Sequence, residues 1–83
     1  MNPIMIYFNG LFLIGKLDDR KLLNPRIYAL LQVAQGQMQH AMNHLPGKPA
    51  FISLPKDILY WPVQDKEIEA LYVKATTNLV LVQ

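Results

Sequence analysis

Two apolar runs, Ile4 to Phe8 and Leu11 to Leu17, flank Asn9-Gly10 near the start of the chain. Asn and Gly both tolerate the positive φ of a type I′ turn, so the pattern predicts a β-hairpin, or else a bend in one continuous strand. Neither run alternates cleanly between apolar and polar residues, which predicts strands covered on both faces. Asp18, Asp19, Arg20 and Lys21 follow as a solvated loop.

The stretch from Asn24-Pro25 to Leu45 supports two readings. Ile27, Leu30, Leu31, Ala34, Met38, Ala41, Met42 and Leu45 recur at helical spacing behind an Asn cap and a Pro at the first helical position. Gly36 opposes that helix, costing about 1 kcal/mol relative to Ala in a helix interior. On a strand, Met38, His40, Met42 and His44 would share one face. Local periodicity favours the helix.

Pro46-Gly47-Lys48-Pro49 is a turn cluster, and Ala50 to Leu54 and Ile58 to Val63 read as strands separated by Pro55-Lys56-Asp57. Pro62 closes the second because it has no N–H for a ladder. Gln64 or Asp65 then caps a helix with a buried stripe of Ile68, Leu71, Tyr72 and Ala75. Asp65, Glu67 and Glu69 lie early in it and Lys74 late, as the helix dipole favours. Thr76, Thr77 and Asn78 end it, and Leu79 to Val82 forms a last apolar run, read as a terminal strand that needs a pairing partner.

Composition narrows the class. Eighty-three residues make one small domain, 1–83, and 52% hydrophobic content excludes a disordered chain. Charged residues make up 17%, against about 25% in typical domains, so the surface is short of charge. A chain this small, with no Cys to staple it, is expected to cover its surplus apolar surface with copies of itself. The absence of Cys excludes a disulfide scaffold, a Cys-type zinc site and a thiol nucleophile, and fits a cytoplasmic setting. The uncharged N-terminal stretch lacks the basic region and cleavage site of a signal peptide. No apolar run approaches the ~20 residues that span a bilayer, so no membrane partner is expected. Net charge of +2 permits an anionic partner but leaves only a weak electrostatic footprint.

Tyr7 to Leu31 reads Tyr-Phe-Asn-Gly-Leu-Phe-Leu-Ile-Gly-Lys-Leu, a charged loop, then Leu-Leu-Asn-Pro-Arg-Ile-Tyr-Ala-Leu-Leu. This resembles the first motif of Sm-like proteins, with Gly10, Gly15, Leu17 and Asn24 in the matching places. The whole chain is similar to the small Sm-like proteins of phage genomes through Ile14-Gly15, Asn24-Pro25, Gln35-Gly36-Gln37, Phe51 to Leu54, Ile58 to Trp61, and Ala70 to Val82. The resemblance implies a mainly β fold: a small, strongly bent five-stranded barrel with a short C-terminal helix and a terminal strand, joined edge to edge into a homo-oligomeric ring. It turns Pro25 to Leu45 into two strands joined near Gln35-Gly36. It also implies a non-enzymatic protein of phage origin, needing no cofactor, that binds single-stranded RNA or DNA in the host cytoplasm. Arg20-Lys21 stands where Sm proteins typically place an Asp, and Pro55-Lys56 stands where they carry an Arg-Gly or similar pair. Lys56 keeps a cation without the planar fork of Arg, so the resemblance does not extend to uridine recognition.

On this reading the loops around Asn24 and Lys56 meet near a pore. Lys56, Arg20, Lys21 and Arg26 would contact phosphates, Asn24 a base edge, and Tyr28 would offer a stacking face. The plainer reading makes Asn24 a turn or cap residue and the cations ordinary solvated side chains. Alternatives from other classes are an oligomer presenting Tyr60, Trp61 and the Gln-rich hairpin to a host or virion protein, and an oligomer binding a small ligand between subunits. His40 and His44 lack a nearby Asp or Glu in sequence to complete a metal site, and Met38 and Met42 read as apolar filling. Ser53, a His and Asp57 lack the glycines of a nucleophile elbow, and the adjacent Asp18 and Asp19 are solvated. No catalysis is predicted.

Overall fold

The computed structural model describes residues 2–77. Asn9 (φ 53°) and Gly10 (φ 80°) both take the left-handed conformation and close a hairpin between β1 (Ile4–Phe8) and β2 (Leu11–Asp18). The Asn-Gly pair therefore makes a turn between two strands, and Tyr7 lies opposite Phe12 across it. Asp19 (φ 48°) and Arg20 (φ 64°) make a second two-residue turn into β3 (Lys21–Ala34). The expected four-residue charged loop is thus shorter, with Asp18 and Lys21 paired at the ends of their strands.

Pro25 to Leu45 is not helical. β3 turns at Gln35-Gly36 into β4 (Gln37–His44), in antiparallel register with Tyr28 opposite Met42 and Leu30 opposite His40. The helical spacing of apolar residues loses to ladder formation on both edges of β3, a tertiary effect that local periodicity does not register. Two short strands follow, β5 (Phe51–Ser53) and β6 (Tyr60–Pro62), each shorter than expected.

The sheet order is β4-β3-β2-β1-β6, antiparallel throughout, with β5 also on β3. Register explains the six strands. β4 covers β3 from Ala34 to Arg26, and β5 resumes on the same edge from Leu23 to Lys21. Together they are one edge strand broken by a short excursion, so the sheet has five strand positions. Among the described residues no ladder joins β6 to β4 or β5, and the sheet is open.

Its two faces carry separate cores. Ile4, Ile6, Leu13, Leu22 and Leu54 cluster on one, with Leu17, Ile27, Leu45, Ile52 and Ile58 packed around them. Met5, Ile14, Val63 and Tyr72 cluster on the other, flanked by Tyr28, Met42 and Ile68. This second face is covered by α1 (Lys66–Thr76). Asp65 is the cap: its Oδ1 accepts from the N–H of Glu67 at 2.8 Å and of Ile68 at 3.4 Å. Tyr72 is the helix's buried anchor, Ile68 and Leu71 are half-buried, and Ala75, expected inside, is exposed. Its carbonyl instead accepts from the Arg26 guanidinium at 3.4 Å. No helix among the described residues is long and apolar enough to cross a membrane. The expected terminal strand, Leu79 to Val82, lies outside them.

Candidate nucleic-acid interface

The six residues singled out in the sequence fall into four places. Arg20 and Lys56, far apart in the chain, line one cleft of about 330 Å³ with Leu17, Asp19, Leu54, Pro55, Ile58 and Tyr60. The backbone explains the convergence. Lys21 pairs with Ser53, and Leu54 donates its N–H to the Arg20 carbonyl at 2.8 Å, so the Asp19-Arg20 turn and the Pro55-Lys56 turn are tied side by side. Arg20 occupies a left-handed conformation that costs an L-residue roughly 1–2 kcal/mol, which the tie to Leu54 holds in place. Lys21 follows Arg20 in the chain but does not line this cleft: its Nζ stands 4.9 Å from the Phe51 ring centre, a cation–π contact.

Sequence reasoning does not single out Tyr60 as a cleft residue. It is 48% exposed on β6 and completes an arrangement of two cations, one carboxylate and one phenol ring. Such a set offers charge to a phosphate and a π-face to a base. The signal lies in the Ile58-x-Tyr60 alternation of the expected strand, although the observed β6 begins only at Tyr60 and its neighbours are not readable from the sequence.

Asn24 forms the bend of β3. Ile14 pairs with Arg26 while Lys16 pairs with Leu23, so β3 carries one more residue than β2 there, and Asn24 absorbs it at φ 49°. Its N–H donates to the Ala50 carbonyl at 2.8 Å and its own carbonyl accepts the Tyr72 hydroxyl at 2.9 Å. The backbone of Asn24 is thus structural, while its side chain is exposed. Asn24→Gly is therefore expected to keep the fold, and Asn24→Ala to lose roughly 1 kcal/mol or more through the left-handed penalty, read as a shift in urea midpoint. A base contact by the Asn24 amide would show as weakened binding in the well-folded Gly variant.

Arg26 and Tyr28 point to the other, helix-bearing face. Arg26 bonds to the Pro25 and Ala75 carbonyls and shares a small hollow with His44, Thr76 and Thr77. Loss of hydration, then the Arg26 and Lys48 cations, hold the His44 imidazole below its usual range. The Tyr28 hydroxyl bonds His40 Nδ1 at 2.6 Å, and burial followed by the Asp65 charge pushes its pKa up. Neither residue reaches the Arg20–Lys56 cleft, because the bend at Asn24-Pro25 separates the β5-paired half of β3 from the β4-paired half. No family model matches this chain, and no curated protein or solved structure matches it significantly.

Proposed function

We propose that the chain is a non-enzymatic Sm-like protein that assembles into a homo-oligomeric ring of bent, barrel-like subunits and binds single-stranded RNA through the Arg20–Lys56 cleft, repeated in every subunit. The observation that carries this reading is the joining of Arg20 and Lys56 by the Leu54 to Arg20 backbone bond. Among the described residues the sheet has two edges without a ladder partner, β4 with β5 at one side and β6 at the other, and these supply a means of assembly, since each can be completed by the opposite edge of a neighbouring copy. Within the site Lys56 and Arg20 hold phosphates, Tyr60 stacks a base and Asn24 lies nearer the bend. Arg26 and Tyr28 have no part in it.

The test is binding of labelled oligo(A), oligo(U) and mixed-sequence oligonucleotides at low and physiological salt, with solution mass measured on the same samples. Affinity is expected to fall steeply with salt through counterion release. Arg20→Ala combined with Lys56→Ala is expected to weaken every oligonucleotide by about tenfold or more and to flatten the salt slope by about 0.7 for each phosphate the variant no longer neutralises. Failure of all oligonucleotides to bind at low salt overturns RNA binding, and a monomer at micromolar concentration overturns the ring.

A second reading is supported by a different surface. Tyr7, Phe12 and Trp61 form an exposed aromatic cluster on the helix-bearing face, with ring centres 5.1 Å and 6.4 Å apart along the series. It is suited to a host or virion protein contact, which differs from RNA binding in being insensitive to salt.

A further inference from the structure

We infer that His40, Asp65 and Glu67 form a binding site for a divalent first-row metal ion of the zinc class, bridging β4 to the N-terminus of α1. One ligand atom from each residue lies within 4.8 Å of the others, and His40 Nε2 stands 3.8 Å from Glu67 Oε1. Ligand atoms about 2.0–2.2 Å from a tetrahedral zinc are about 3.4 Å apart, so a small closing movement of side chains completes the set. The two carboxylates are exposed and free to make it, while the imidazole is partly buried on the sheet.

His40 is already oriented for ligation. Its Nδ1 is engaged at 2.6 Å by the Tyr28 hydroxyl, which leaves Nε2 facing the carboxylates. With Nε2 on a metal, Nδ1 carries the proton and donates it in a hydrogen bond to the Tyr28 oxygen, the outer contact that fixes tautomer and ring direction in metal-ligating histidines. Asp65 has the capacity to serve two roles at once. Its Oδ1 accepts both capping N–H bonds of α1, and Oδ2 remains for the ion. The helix N-terminus works weakly against a cation, and the Asp65 cap and the Glu67 charge offset it. One imidazole nitrogen with two carboxylate oxygens, leaving a position for water, selects zinc-like ions over magnesium, which prefers an all-oxygen octahedron.

The site is invisible in sequence because its acids lie at the start of a helix two strands beyond β4, brought back to His40 only when α1 packs on the sheet. His44, the other histidine, is not part of it.

Calorimetric titration of the full chain with zinc chloride, and in parallel with magnesium chloride, tests the site. Saturation by one zinc per chain at micromolar concentration is expected, with magnesium at least about a hundredfold weaker. Glu67→Gln and Asp65→Asn, the latter keeping a capping side chain, are each expected to weaken zinc by about tenfold or more, and Tyr28→Phe by about 10–100-fold. Circular dichroism on each variant confirms that the helix is retained. Absence of saturation below millimolar zinc, or affinity that survives Glu67→Gln and His40→Gln but disappears in His44→Ala, overturns the assignment.

Discussion

Gly15→Ala is expected to destabilise the fold by about 3 kcal/mol, and Gly15→Val to prevent folding. A Cβ on Gly15 would stand 2.7 Å from Leu22 Cγ, 2.9 Å from Leu22 Cδ1 and 2.7 Å from the Leu23 carbonyl oxygen. Leu22 is fully buried in the main core and has nowhere to go. The Leu23 oxygen is backbone and also accepts the Tyr72 hydroxyl, so moving it disturbs the helix as well. Overpacking costs typically about 1–3 kcal/mol even where side chains can yield, and here one obstacle is main chain. Against a total of about 4–12 kcal/mol for a domain of this length, that is a large share. A fall in melting temperature of at least about 10 °C is the expected result. Gly36→Ala is the contrast: a Cβ there meets nothing, and only the positive φ of 76° opposes it, at roughly 1–2 kcal/mol. Equal losses at the two positions would show that the close approach of β2 to β3 is not tight.

Gly15 shows what is legible in the sequence and at what level. The residue stands out through a motif resemblance, but its physical role follows from the bulge opposite it, where Asn24 adds a residue to β3. Signals that act within a few residues are readable: Asn9-Gly10 specifies its hairpin, and Asp65 its helix, because turn and cap chemistry is local. The stretch from Ile27 to Leu45 is not, because its apolar residues satisfy a helical period while the pairings that decide its state, Leu13 with Ile27 and Ala29 with Ala41, form only in the assembled sheet.

The candidate site divides along the same line. Arg20 and Lys56 can be nominated from sequence as cations in loops, but their meeting depends on the β3–β5 register. Arg26 and Tyr28 group with them only through closeness along the chain. A strand passing through a bulge at Asn24 sends its later half elsewhere, and both residues end against α1. Asp65 and Glu67 join His40 through helix docking, an event that no spacing rule in the sequence encodes.

Tyr72 is the one fully buried side chain in that docking, and its variants are expected to separate its two contributions. Tyr72 is 1% exposed, its ring packed among Met5, Ile14 and Val63, and its hydroxyl donates to the carbonyls of Asn24 at 2.9 Å and Leu23 at 3.2 Å. Tyr72→Ala removes the ring and leaves a cavity, at about 3–5 kcal/mol, enough to release α1 from the sheet and unfold much of the population. Tyr72→Phe keeps the ring and loses only the hydrogen bonding, about 0.5–1.5 kcal/mol at neutral pH in urea denaturation. At high pH the difference narrows. Burial raises the Tyr72 pKa in the folded state, partly countered by Arg26, so the phenol's contribution is complete below the unfolded value of about 10 and lost as pH rises through the higher folded value. Phe has no proton to lose. The stability advantage of wild type over Tyr72→Phe is therefore expected to shrink as pH rises above ~10. Parallel curves across that range would mean that the hydroxyl titrates as it does in water and that the helix is not held by a buried, neutral phenol.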